Sequence, residues 1–84
     1  VNELEKVNSV FVAPNPVTDK ITISSKEIIQ TVSVFNNLGQ LVLKQEGNSN
    51  QSQLDLSLLP SSVYFLNIQL KEGSSITRKI IKTN

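Results

Sequence analysis

The chain has 84 residues, 38% hydrophobic and 18% charged, with a net charge of +1; that is one small domain with a thin two-layer core. With no His and no Cys, a Ser–His–Asp triad, a thiol nucleophile and an imidazole or thiolate zinc site are all excluded. Near-neutral charge provides no general basic field for nucleic acid, and apolar runs of at most four residues (Val10–Ala13, Val63–Leu66) fall far short of the ~20 a membrane helix needs.

The remaining composition is that of strands. Ser, Asn, Gln and Thr fill 31 of 84 positions, and Val plus Ile number 17 against a single Ala. β-Branched side chains suit the pleat, whereas a chain this poor in Ala makes weak helices. No charged segment followed by an apolar one opens the chain, so no signal peptide is expected within it. A start at Val1 rather than Met reads as a piece cut from a longer protein.

Residues 1–9 (VNELEKVNS) show no period and read as a linker, with the folded domain expected over 10–84. Val10–Ala13 stops at Pro14-Asn15-Pro16, and the two missing donors confine it to a sheet edge. Asp19 marks a turn before Lys20–Ser24, where Ile21 and Ile23 point inward. Ile29–Phe35 follows, with Val32 and Val34 on one face and Thr31, Ser33 and Phe35 on the other. Asn36-Asn37-Leu38-Gly39-Gln40 predicts a hairpin with a type I turn and a bulge, Gly39 supplying positive φ. It leads into Leu41–Lys44.

Residues 47–51 (GNSNQ) read as a polar loop, and Ser52–Leu56 as a short fifth strand. The strongest strand is Val63–Leu70, where Tyr64, Leu66, Ile68 and Leu70 share a face. A second hairpin loop falls at Lys71-Glu72-Gly73-Ser74, and Ile76–Lys82 closes the chain. There Ile76 and Ile80 share a face with Arg78 between them while Ile81 points oppositely, which predicts a bulge. Seven short strands give an all-β, immunoglobulin-like antiparallel β-sandwich. Leu59-Pro60 followed by Tyr64 resembles the tyrosine corner of such sandwiches, the alternative being that Tyr64 is simply a core aromatic.

Residues for chemistry are sparse. Asp19, Glu27, Glu46, Asp55 and Glu72 are scattered without the pairing that acid/base work or calcium binding needs, and read as solvated carboxylates. No catalytic, cofactor-binding or metal-binding residue is expected, and the chain reads as not an enzyme. Asn50-Gln51-Ser52 fits the glycosylation pattern, which chance alone provides in so Asn- and Ser-rich a chain. Arg78, Lys79 and Lys82 form a basic terminus, read either as protection of an exposed edge or as a docking edge. Asn15 and the Asn36–Gln40 turn are accounted for by backbone geometry. A carbohydrate-binding module would need exposed aromatics, and of Phe11, Phe35, Phe65 and Tyr64 at least two are expected in the core.

The ordered set Pro14-Asn15-Pro16 with Asp19, then Leu38-Gly39-Gln40, then Leu54 and Leu56, then Tyr64, Gly73 and Arg78–Lys82 resembles the type A C-terminal sorting domain of the type IX secretion system of Bacteroidota-type bacteria. The resemblance spans Val10 to Lys82, 73 of 84 residues. Two departures are Ser62 where that family usually has Gly before Val-Tyr, and Ala13 where an aromatic commonly precedes Pro-Asn-Pro. The resemblance implies a non-catalytic address label, without cofactor, fused to the C-terminus of a cargo that passes the periplasm. The outer-membrane translocon would recognise it; on the separate reading that an exposed edge strand serves recognition, Arg78, Lys79 and Lys82 are the expected docking residues. A sortase-like protease would remove it within or near residues 1–9, leaving the cargo secreted or on the cell surface. A monomer is expected, with neither nucleic acid nor membrane insertion; a binding or spacer module of a secreted protein is the competing reading.

Overall fold

The computed structural model describes residues 10–84, so the linker expected over residues 1–9 lies outside the described residues. Five strands account for the fold: β1 (Val10–Ala13), β2 (Lys20–Phe35), β3 (Leu41–Asp55), β4 (Ser62–Leu70) and β5 (Ser75–Lys82). All named strand pairings are antiparallel. Along one edge β2 pairs with β3 at both its ends, through residues 20–24 and 29–35; along the other it meets β1 through residues 22–25 and β4 through residues 29–35.

Five strands replace the seven expected because β2 and β3 each run through both layers. Lys20–Ser24 with Gln51–Asp55 and β1 form one half; Ile29–Phe35 with the start of β3, β4 and β5 form the other. Between them the register breaks, from Ser24 opposite Gln51 to Ile29 opposite Ser49, as strands do when they switch layers. The segment expected as a loop at 47–51 is therefore extended strand. Its Asn50 side-chain Nδ2 donates to the carbonyls of Ser25 (3.3 Å) and Lys26 (3.0 Å), and the Lys71 backbone amide donates to the Ile28 carbonyl at 2.9 Å, which gives these three corner carbonyls partners.

A second irregularity between Ile29 and Thr31 leaves Gln30 without a partner of its own on β4. The inward positions change there from odd (Ile21, Ile23, Ile29) to even (Val32, Val34), the phase change a bulge produces. Both halves then contribute to one buried cluster, Ile21, Ile23 and Leu54 from one and Val34, Leu66, Ile68 and Ile80 from the other. Each such side chain contributes ~1.5–3 kcal/mol by leaving water.

β5 carries no bulge. It pairs with β4 without interruption from Ser75 to Lys82, and its burial alternates strictly: Ile76, Arg78, Ile80 and Lys82 inward, Thr77, Lys79 and Ile81 outward. The mismatch read from its sequence disappears because two cations occupy inward positions.

Candidate docking surface

The segment between β1 and β2 is built against the far end of the chain. Val17 forms a parallel bridge with Lys82: its amide donates to the Ile81 carbonyl and its carbonyl accepts from the Thr83 amide, both at 2.8 Å. Two residues earlier, Asn15 uses its side chain as a strand would use backbone. Its Oδ1 accepts from the Ile81 amide at 3.0 Å and its Nδ2 donates to the Lys79 carbonyl at 3.3 Å. Pro14 and Pro16 flank it and have no amide hydrogen of their own. Local backbone geometry, the reason expected for Asn15, is thus not its role; it covers the open edge of β5 from 64 to 66 positions away.

The turn between β2 and β3 is as its residues predict. Gly39 has φ +81°, and its amide donates to the Asn36 carbonyl at 3.0 Å. Asn36 Oδ1 accepts from the amides of Leu38 and Gln40, while its Nδ2 donates to Gln40 Oε1, all at 2.9 Å. Asn36, the residue that opens the turn, organises it as Asn at a turn start does. The β4–β5 turn repeats the backbone pattern, with Gly73 at φ +112° donating to Leu70 and the Leu70 amide donating to Ser74.

Behind the turns lies the tyrosine corner. Tyr64 is buried, and its hydroxyl donates to the Pro60 carbonyl at 2.7 Å. Leu54 and Leu56 are fully buried, and the Leu56 amide donates to the Asp19 carbonyl at 2.8 Å. Asp55 points outward and accepts from the Ser57 amide at 3.0 Å. Hydrogen bonds from the Ser57 side chain and backbone, with a smaller contribution from Lys20, hold the Asp55 carboxyl below its ordinary 3.8.

The three expected docking cations do not share a surface. Lys79 points outward and is exposed; Arg78 is half-buried on the inner face, one guanidinium nitrogen donating to the Val10 carbonyl at 3.3 Å; Lys82 is buried and its Nζ donates to the Thr83 carbonyl at 3.0 Å. Alternation along one strand separates them. The aromatics also differ from expectation. Only Tyr64 is buried; Phe35 and Phe65 are half-buried on the outer face, and Phe11 is exposed.

The architecture is an antiparallel β-sandwich whose motif residues lie partly in turns, at Pro14–Pro16, Asp19, Leu38–Gln40 and Gly73, and partly on or beside strands, at Leu54, Leu56 and Tyr64. Residues 11–83 match the family described as the secretion system C-terminal sorting domain. The chain belongs to this family, the C-terminal sorting domains of the type IX secretion system. It is 32% identical over 79 residues to ulvan lyase NLR42 of Nonlabens ulvanivorans, covering 92% of this chain and 15% of that protein. Among solved structures it resembles PorZ, a surface component of the type IX secretion system of Porphyromonas gingivalis, with a TM-score of 0.77 and 18% identity over 95% of this chain and 12% of that one. It also resembles a DUF3244 family protein with an immunoglobulin-like β-sandwich fold from Bacteroides vulgatus (TM-score 0.74, 15% identity, 89% of this chain and 85% of that one). At these identities the two structures speak for the fold.

Proposed function

We propose that the domain is the address label of a larger secreted protein: it directs a covalently fused, periplasmic cargo through the type IX outer-membrane translocon and has no catalysis of its own. The observation that carries this is the family match over residues 11–83, nearly the whole domain. Its relation to the ulvan lyase fits the same reading, since this chain matches only 15% of that protein, the size of a tag and not of a catalytic body.

In this reading a sortase-like protease removes the label within or near residues 1–9, and the cargo is released or anchored at the cell surface. The label works as a monomer, without cofactor, nucleic acid or membrane insertion. Pro14, Asn15 and Pro16, with Asp19, Leu38, Gly39, Gln40, Leu54, Leu56, Tyr64 and Gly73, maintain the fold that the machinery reads. Of the basic residues, Lys79 has the exposure that contact requires; Arg78 and Lys82 act by holding β5 in place.

The test is export of a periplasmic fluorescent reporter carrying residues 1–84 at its C-terminus, compared in a type IX-competent host and a translocon-deficient sibling. Reporter outside only the competent cells is the expected result. A folded reporter retained by both strains would transfer the assignment to a spacer or binding module.

A further inference from the structure

The outer face of the four-stranded half carries a row that neither core packing nor turn geometry explains. Leu41 on β3 lies opposite Phe35 on β2, Phe35 opposite Phe65 on β4, and Phe65 opposite Lys79 on β5. These pairs are direct cross-strand neighbours on one face, so the row crosses all four strands in roughly 14 Å. Leu41 is 53% exposed and the two phenyl rings are half-buried. The apolar surface extends to Ile81, 43% exposed beside Lys79, and to Leu38, 79% exposed on the turn joining β2 and β3. The next rows down the same face are uncharged and polar on the central strands: Ser33 opposite Asn67, Thr31 opposite Gln69.

Single exposed apolar residues are ordinary, but a contiguous group with central aromatics and a polar border is the composition of a protein interface. We propose that this row docks a segment of the secretion machinery that presents two or three aliphatic or aromatic side chains beside a carboxylate, the apolar groups covering Phe35 and Phe65 and the carboxylate meeting the Lys79 ammonium. The choice of a protein partner of this chemistry rests on two observations. The only charge within the row is the cation at its β5 end, which selects an acidic neighbour to the apolar contact. The adjoining edge of β5, where an added strand would bind, is filled over residues 79–83 by the Asn15 side chain and the Val17 backbone, so recognition there uses the face. The proposal rests on the sorting function and names the surface that serves it.

The experiment uses the reporter fused to residues 1–84 with Leu38→Asp, Leu41→Asp, Lys79→Glu or Lys79→Arg, and with Lys71→Glu in the remote β4–β5 turn as control. Thermal melts of each purified variant establish that it remains folded. Export is expected to fall about tenfold for Leu41→Asp and Lys79→Glu, less for Leu38→Asp, and to persist for Lys79→Arg and Lys71→Glu. Unaltered export of all row variants beside an exported wild type overturns the row and leaves the sorting function standing. A wild-type reporter retained by competent cells overturns both. Equal losses for Lys79→Glu and Lys71→Glu make net charge the cause and also overturn it. Sedimentation of the purified chain across a concentration series supplies a separate arm: a dimer that Leu41→Asp dissolves would give the row to a second copy and refute the proposal.

Discussion

The Asn15 side chain and the Ile81 amide are joined by a 3.0 Å hydrogen bond across 66 positions of sequence. With the companion bond to the Lys79 carbonyl, one amide side chain substitutes for a dipeptide of strand on the open edge of β5. Asn15→Ala removes both bonds while leaving the prolines in place. The expected cost is about 1 kcal/mol, seen as a fall in melting temperature of about 4–8 °C together with faster amide exchange at Ile81. Unchanged exchange at Ile81 would show that the edge is held by Val17 alone.

Tyr64→Phe preserves the ring in the core and deletes only the hydroxyl that donates to Pro60 at 2.7 Å. Chemical unfolding should show a loss of about 1 kcal/mol. Tyr64→Ala, which also empties a buried site, should lose ~3–5 kcal/mol. A Phe variant as stable as the wild type would reduce the corner to simple packing.

The glycines separate conformational need from space. A Cβ at Gly39 would meet nothing within 4 Å, yet φ there is +81°, so Gly39→Ala should cost roughly 1–2 kcal/mol from backbone strain alone. Gly47 has no positive φ, and a Cβ would lie 4.0 Å from the Ile29 carbonyl oxygen, an ordinary contact. Gly47→Ala is expected to be neutral or slightly stabilising, because it restricts the unfolded chain. Denaturation midpoints of the pair decide the matter; equal effects would contradict it.

Asp55 links stability to acid. Its carboxyl is held below its ordinary 3.8, first by the Ser57 side-chain hydrogen bond and then by the Ser57 amide. A carboxyl whose folded pKa is depressed contributes stability that is whole above the unfolded value and is lost as pH falls through the folded one. Stability should therefore drop on acidification below about pH 4, and Asp55→Asn should flatten that drop. Ser57→Ala, which keeps the backbone donor, should give an intermediate slope. An identical pH profile for Asp55→Asn and wild type would remove Asp55 from the account.

Much of this structure was legible where one face of a strand is dry. The alternation of Ile21 and Ile23, of Val32 and Val34, and of Tyr64 through Leu70 marks the core correctly, because period-two hydrophobicity reports a half-buried pleat. It failed at the corner. Lys44 to Gln51 are all exposed, so a strand wet on both faces has no period to read, and its Gly, Asn, Ser and Gln content looks like loop. Hydrogen bonding to β2, not side-chain burial, keeps that segment extended.

The candidate site was less legible still. The period of the last strand sets Arg78 between Ile76 and Ile80, but charge made Arg78 and Lys82 read as a basic edge with Lys79, and the uninterrupted register with β4 turns both inward. Asn15 offered no local sign of its partners, since long-range hydrogen bonds leave no trace in spacing. At least two of the four aromatics are expected in the core on hydrophobicity, yet the alternation that sets Val34 and Leu66 inward leaves Phe35 and Phe65 on the outer face, and only Tyr64 is buried.

The parallel bridge from Val17 to Lys82, completed by the Thr83 amide, also bears on timing. The pairings among β1 to β4 involve no residue beyond 70, but the edge that Asn15 and Val17 cover does not exist until residues 79–83 are in place. A variant lacking residues 75–83 would display raw strand backbone on both β4 and the Val17 segment. Anything that reads the closed surface thereby reads whether β5 has paired and been capped by residues 15–17.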